Sequence, residues 1–96
     1  MGLHDVLAVS HLGRTIPARL RTAVEELHPE CDIEGCNVTR NLEIDRNVPI
    51  EDGGPTAWWN LDRLCPHHHE HKQRHRLRLA GEPGRMRFVP AHEWVP

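Results

Sequence analysis

The chain lacks most of the large side chains and apolar runs on which larger or membrane-bound proteins depend. Its 96 residues include no tyrosine, one phenylalanine and three tryptophans, and 38% are hydrophobic. A domain this short buries only about 60% of the surface of its unfolded chain, so it needs a further source of stability. The longest apolar runs fall far short of the roughly 18 residues that cross a bilayer. The sequence therefore predicts one small domain without a membrane-spanning segment.

Cysteine is also scarce, with three residues, and no stretch resembles a secretory signal peptide. Three thiols cannot all pair with one another, which makes a secreted disulfide scaffold a poor interpretation, and we expect a cytoplasmic protein. A bound metal ion is the better source of stability for so small a core.

The net charge of −2 conceals an uneven distribution of charged residues. Residues 25–62 hold ten acidic side chains against two arginines, whereas residues 63–96 hold seven basic side chains against three acidic ones. Five of the nine histidines fall within residues 67–75. A basic end of this kind favours contact with phosphates, and a solvated charged surface is the alternative that charge alone leaves open.

Hydrophobic periodicity and turn residues predict a small α+β domain over residues 15–90. Thr15 is the expected cap of the first helix, and Pro66 suits the first turn of the second. Short alternating segments and glycine-rich turns indicate the strands. The predicted elements are an arm over residues 1–14, a helix over 16–28, a cysteine knuckle over 31–36, a strand over 42–45, a loop over 51–56, a helix over 66–74, a hairpin over 77–88 and a tail over 91–96.

Cys31, Cys36, Cys65 and His68 have the spacing of a tetrahedral zinc site. Zinc prefers four thiolate or imidazole ligands, at about 2.3 Å for sulfur and about 2.0 Å for nitrogen. The first pair lies on a knuckle, with Gly35 just before the second cysteine. The second pair, three residues apart, shares one face at the start of a helix. We expect the ion to clamp these two distant segments together.

A second metal centre is predicted beside the first. His69 lies about 100° around the helix from His68 and therefore points away from the zinc. Asp45, at the end of the predicted strand, is a hard carboxylate suited to Mg²⁺ or another divalent ion. Together they make an open site with room for water and phosphate oxygens. Taken alone, Asp45 also fits an ordinary turn or surface residue.

Five sequence motifs carry a family resemblance. They are CDIEGC at 31–36, LEIDRNVP at 42–49, GGPT at 53–56, WNLDRLC at 59–65 and HHHEHK at 67–72. These motifs resemble the zinc-stapled HNH endonucleases, and most closely the HNH module that ends many actinobacterial proteins with an upstream domain of unknown function. The resemblance covers residues 13–90 and implies a treble-clef-like ββα-metal fold, in which two strands and a helix hold one catalytic divalent ion.

The resemblance also implies roles for single residues. Asp45 and His69 correspond to ligands of the catalytic ion, Mg²⁺ or Mn²⁺. Asn60 corresponds to the middle residue of the motif, which pins the loop or approaches the metal, and Lys72 to a phosphate contact. Contacts with the DNA backbone, which carry weak sequence preference, are expected from Arg46, Arg74, Arg76, Arg78, Arg85 and Arg87.

Arg46 departs from the family pattern, because the resemblance places the general-base histidine at this position. A guanidinium, with a pKa above about 12, cannot accept a proton at neutral pH. Three interpretations stay open: an inactive nuclease that still binds nucleic acid, a substitute histidine such as His67 or His71, or slow attack by metal-bound hydroxide without a side-chain base. The DRGH register of nonspecific nucleases supplies no histidine, since Val48 follows Asn47.

Two functions therefore compete. The first is a metal-dependent endonuclease module that acts on DNA and, by analogy with the family, leaves 5′-phosphate and 3′-hydroxyl ends. The second is a noncatalytic zinc-stapled module that binds nucleic acid or a protein partner, with Arg46 as a phosphate clamp. Both need the structural zinc, and they differ in whether Asp45 and His69 support turnover.

Overall fold

The computed structural model describes residues 15–95, which form two helices and two small antiparallel sheets. The α+β class and the terminal hairpin are confirmed, and the predicted arm over residues 1–14 lies outside the described part. The elements are α1 (Ala18–Leu27), β1 (Glu43–Arg46), β2 (Leu61–Leu64), α2 (Pro66–His75), β3 (Leu77–Ala80) and β4 (Arg87–Pro90). Short 3₁₀ turns cover Ile50–Asp52, Trp58–Asn60 and Ala91–Glu93.

Helix α1 packs one apolar stripe against the first sheet. Leu20 and Val24, four residues apart, are fully buried and contact Leu61 of β2. This spacing places both side chains on one face of the helix. The predicted cap at Thr15 is wrong, because Pro17 occupies the N-cap position and no side chain caps the helix.

The first sheet pairs β1 with β2, and helix α2 follows β2 after one residue and packs against both strands. Strand β1 ends at Arg46, one residue later than predicted. Strand β2 was not predicted, because the buried Asp62 interrupts the apolar pattern of a strand interior. The cross-strand partners are Glu43 with Leu64, Ile44 with Arg63, Asp45 with Asp62, and Arg46 with Leu61.

The second core joins the cysteine knuckle to the terminal hairpin of β3 and β4. The knuckle is held by backbone hydrogen bonds, from Glu34 N to Met86 O at 2.9 Å and from Met86 N to Asp32 O at 2.8 Å. Helix α2 ends at His75, where Arg76 takes the left-handed conformation with φ of 51°. The buried residues of this core are Cys31, Leu64, Cys65, Leu79 and Met86.

Charged groups are also buried in this small interior. Asp32, Asp45, Asp62 and Lys72 are each at most 6% exposed. Burial, and next the charge of Asp32, raise the pKa of Asp62 to about 7. The interior therefore contains more acidic than ammonium groups. No helix within residues 15–95 is long and apolar enough to cross a membrane.

Candidate metal centres

Four side chains from two distant segments converge in what we call the thiol cluster: Cys31, Cys36, Cys65 and His68. Their ligand atoms all lie within 4.8 Å of one another. His68 Nδ1 is 3.5 Å from Cys31 Sγ and 3.4 Å from Cys65 Sγ, and the Sγ atoms of Cys36 and Cys65 are 3.9 Å apart. The edges of a zinc tetrahedron measure about 3.5 Å from sulfur to nitrogen and about 3.8 Å between sulfurs. The thiol cluster can therefore hold a metal ion.

The local backbone explains this convergence. Gly35 has a φ of 82°, a left-handed conformation that a side chain disfavours, and the turn closes with a hydrogen bond from Cys36 N to Ile33 O at 3.1 Å. Cys65 caps α2, and its carbonyl accepts a hydrogen bond from His69 N at 2.9 Å. The first turn of α2 thereby brings His68 back over Cys65.

All three cysteines are free thiols, so each can act as a metal ligand. Burial raises the pKa of the Cys31 thiol to about 11. Burial, and then the neighbouring His67 and His71, lower the pKa of His68, so its ring is neutral as a ligand must be. A cation among the sulfurs favours the thiolate form that burial alone disfavours.

A second group of side chains, the carboxylate cluster, comprises Glu43, Asp45, His69 and Lys72. His69 Nε2 lies 3.4 Å from Asp45 Oδ1, and its Nδ1 is hydrogen-bonded to the Glu43 carboxylate. Glu43 and Asp45 are two positions apart in β1, so their side chains lie on the same face of the strand, and this face packs against α2. The hydrogen bond with Asp45, and more weakly that with Glu43, raise the pKa of His69 against the effect of burial. The structure thus brings Asp45 and His69 together and adds Glu43, which the sequence analysis missed.

Lys72 enters this cluster from inside the protein. Its Nζ lies 3.0 Å from Asp45 Oδ2 and donates hydrogen bonds to the carbonyls of Asn47 at 3.0 Å and Arg46 at 3.3 Å. Asp45 Oδ2 is an ion-pair partner without a directed hydrogen bond from the described residues. Lys72 is 4% exposed and therefore acts as an internal counter-charge to Asp45, while a contact with phosphate stays a prediction.

Arg46 occupies the position where the resemblance implies a base. Its Nε and Nη2 donate hydrogen bonds to Thr56 Oγ1, at 3.3 and 3.0 Å, so a threonine of the GGPT motif anchors the guanidinium. His67 and His71 line a different recess, together with His75. They are two residues from His69 on either side, about 200° around the helix. Neither is placed to replace the missing base.

Asn60 holds the loop behind β1. Its Oδ1 accepts a hydrogen bond from Val48 N at 2.9 Å, and its Nδ2 donates to the carbonyls of Val48 at 3.0 Å and Pro55 at 2.9 Å. The side chain is 1% exposed, so its amide is fully engaged with backbone. Gly54 is required in this loop, because a Cβ there would lie 1.7 Å from Val48 O. Of the two roles implied for Asn60, the geometry shows the pinning of the loop.

A cavity of about 600 Å³ opens beside the carboxylate cluster. Asp45 and Lys72 lie in its wall with Arg46, Arg76 and Arg78, and an adjoining recess of about 240 Å³ includes His69. Arg78 is paired with Asp52 at 3.0 Å. Arg74, by contrast, lines the separate recess of the exposed helix face. Of the arginines predicted to bind DNA, Arg46, Arg76 and Arg78 thus line the cavity, and Arg74 lies on another surface.

The two clusters offer different chemistry within one small scaffold. The thiol cluster presents soft donors in a closed set of four, whereas the carboxylate cluster presents a hard oxygen and an imidazole beside open space. Comparison of the chain with protein-family models, curated proteins and solved structures gives no match.

Proposed function

We propose that the chain is an HNH-type, metal-dependent endonuclease module that cleaves DNA phosphodiester bonds. The observation that carries this proposal is the placement of Asp45 Oδ1 and His69 Nε2, 3.4 Å apart, beside a cavity with basic side chains in its wall. The order of elements supports it, because the antiparallel strands β1 and β2 precede α2, and β1 and α2 supply this pair. The thiol cluster, in this proposal, holds a structural Zn²⁺.

The residues present fit a divalent ion at the carboxylate cluster. Adjacent ligands of an octahedral ion lie about 3 Å apart, close to the observed separation of the Asp45 and His69 atoms. Glu43 accepts the hydrogen bond of His69 Nδ1, which leaves Nε2 directed at Asp45, as carboxylates do for metal-binding histidines. When bound, Mg²⁺ or Mn²⁺ supplies Lewis-acid stabilisation of the charge that develops on the phosphate.

The other groups orient the substrate and balance charge. Arg46, anchored by Thr56, presents a fixed positive charge to a phosphate in the cavity but cannot take a proton from water. Lys72 neutralises part of the charge of Asp45 from behind. Because His67 and His71 face another recess, the substitute-histidine interpretation loses its support. Slow cleavage without a side-chain base and loss of cleavage remain to be separated by experiment.

Plasmid nicking in Mg²⁺ or Mn²⁺ tests the proposal. A general base contributes roughly 10² to 10⁴ in rate, so we expect Arg46→His to raise nicking at least tenfold. His69→Ala should abolish nicking, whereas His75→Ala, an exposed histidine of the same helix, should leave it unchanged. If the wild-type chain and Arg46→His both bind DNA and neither exceeds a control without enzyme, the catalytic proposal fails.

A noncatalytic zinc-stapled binding module is the second candidate, and the ion pair of Lys72 with Asp45 favours it. The Lys72 ammonium already balances part of the negative charge of Asp45 that a divalent ion would otherwise balance. In such a module Arg46 clamps a phosphate. The salt dependence of DNA binding checks this role, because Arg46→Ala should lower the affinity and reduce the slope of log affinity against log salt by about one. A protein-binding module would show no salt-dependent DNA affinity.

A further inference from the structure

A third cluster of ionisable groups lies outside both candidate centres. His28 follows α1, Asp32 belongs to the cysteine knuckle and Asp62 lies in β2. One ligand atom from each of the three lies within 4.8 Å of the other two, and all three residues are at most 5% exposed. One imidazole and two carboxylates, from three separate segments of the chain, therefore lie close together in the interior.

One oxygen of this cluster has no partner. Asp32 Oδ2 lies 2.7 Å from His28 Nδ1 and accepts a hydrogen bond from Arg63 N at 2.9 Å. Asp32 Oδ1, however, is buried and receives no hydrogen bond from any described residue, although Asp32 is 0% exposed. A desolvated carboxylate oxygen without a partner is costly. The oxygen calls for a positive or hydrogen-bonding group that the described side chains do not supply.

The neighbouring cations do not pair with these carboxylates. Arg63 directs Nη1 to the carbonyl of His28 at 3.0 Å, and its buried Nε has no hydrogen-bond partner among the described residues. The Lys72 ammonium is 3.0 Å from Asp45. Within residues 15–95, the ion-pair partner of Asp32 is therefore His28.

We propose that His28, Asp32 and Asp62 form a buried binding site for a divalent transition-metal ion such as Zn²⁺ or Mn²⁺. One imidazole and two carboxylates are the mixed donors that these ions accept, and two carboxylates balance their charge. His28 Nδ1 lies 2.7 Å from Asp32 Oδ2, so the imidazole and one carboxylate already face each other at this point. The bound ion joins the end of α1 to the knuckle and to β2.

This site and the thiol cluster share their framework. Cys31 and Asp32 are consecutive residues of the knuckle, and they belong to different clusters. Asp32 N donates to Arg63 O at 2.8 Å, which fixes the knuckle along β2. The knuckle thus carries two ligands of the thiol cluster, Cys31 and Cys36, and one ligand of the new site, Asp32.

Zinc content measured by mass spectrometry tests the site. The full chain carrying Asp45→Asn, which removes the proposed catalytic centre, is loaded with Zn²⁺ and dialysed. In this background we expect Asp62→Asn to hold one zinc ion fewer per chain, with a folded circular dichroism spectrum. Glu26→Gln, which removes an exposed carboxylate near the end of α1, should hold the same number. Equal zinc content with and without Asp62 overturns the site and leaves the proposed nuclease centre unaffected.

A measurement on the wild-type chain covers the case in which the variant does not fold. Crystals of the zinc-loaded protein should show an anomalous-scattering peak in contact with His28, Asp32 and Asp62. The peak at the thiol cluster serves as the internal reference. If the reference peak is present and none appears at this site, the two carboxyls are held by a shared proton and the proposal is wrong.

Discussion

The thiol cluster and the carboxylate cluster contain neighbouring residues of α2, His68 and His69, yet they differ in whether a basic side chain of the protein balances their negative charge. Consecutive helix positions lie about 100° apart, so one imidazole turns toward the cysteines and the other toward β1. Three buried or half-buried thiols surround His68, and no basic residue is paired with them in the part of the chain described. Beside His69, the Lys72 ammonium already faces Asp45.

Because only one cluster has a counter-charge from the protein, we expect the two clusters to depend on a bound metal ion to different degrees. Thiolates need a cation to exist in that interior, because burial holds the Cys31 proton in place. Asp45 already has a counter-charge, the Lys72 ammonium at 3.0 Å. We therefore expect metal removal to unfold the domain through the thiol cluster, and to affect only activity through the carboxylate cluster.

The largest expected effect is loss of the folded state on disruption of the thiol cluster. Structural zinc supplies apparent binding free energies of about 10 to 16 kcal/mol in small zinc domains. Cys65→Ser, or a strong zinc chelator, should abolish the native circular dichroism spectrum, and added Zn²⁺ should restore it only after chelation. Thr39→Ser, which removes one methyl group at an exposed position, is the control. An unchanged spectrum after confirmed zinc removal would refute the dependence.

Removal of the Lys72 ammonium should make the carboxylate cluster depend on a metal ion as the thiol cluster does. Lys72→Met leaves Asp45 buried without its counter-charge, a change that costs about 3 to 5 kcal/mol. Added Mn²⁺ should restore part of this stability. In chemical denaturation, Mn²⁺ should raise the unfolding free energy of Lys72→Met by more than it raises that of the wild type. Arg74→Met, at an exposed position of the same helix, should change the unfolding free energy by less than about 0.5 kcal/mol. Equal Mn²⁺ stabilisation in both chains would contradict the role of Lys72.

Asn60 provides a loop-specific test. Asn60→Ala leaves Val48 N and two carbonyls without their partner, so we expect a loss of about 3 kcal/mol. Zinc content should stay at the wild-type level, because none of these contacts involves the thiol cluster. A drop in bound zinc in the folded variant would show that the two regions are coupled.

The smallest effect is expected from Glu43. Glu43→Gln weakens the orientation of His69, and loss of such a supporting carboxylate lowers metal affinity by about 10- to 100-fold. The Mn²⁺ concentration required for half-maximal nicking should rise accordingly. Glu34→Gln, an exposed acid on the knuckle, is the matched control. An unchanged Mn²⁺ requirement would remove Glu43 from the site.

The parts of the structure that sequence could predict are those with strong local chemistry. The spacing of Cys31, Cys36, Cys65 and His68 identified all four members of the thiol cluster, and Pro66 located the start of α2. Strand β2 escaped prediction because Asp62 is buried against long-range partners that no local pattern reveals. Helix α1 begins at Ala18 because Pro17 replaces the expected hydroxyl cap.

Some residues of the carboxylate cluster could be predicted from sequence and others could not, again because only some of them have a local sequence signal. Asp45 and His69 were found from residue type and helix rotation. Glu43 differs from other exposed acids only through the strand alternation that brings it to the same face, which is the signal that could have identified it. The burial of Lys72 had no local signal, since a lysine in a charged helix ordinarily faces solvent.

The X-ray absorption spectrum of zinc bound to the purified double variant Asp45→Asn, Asp62→Asn tests the central claim most directly, because both other proposed centres are removed and the remaining ion should occupy the thiol cluster alone. The account predicts three sulfur neighbours at about 2.3 Å and one nitrogen neighbour at about 2.0 Å. A zinc shell of oxygen and nitrogen atoms without sulfur would contradict it.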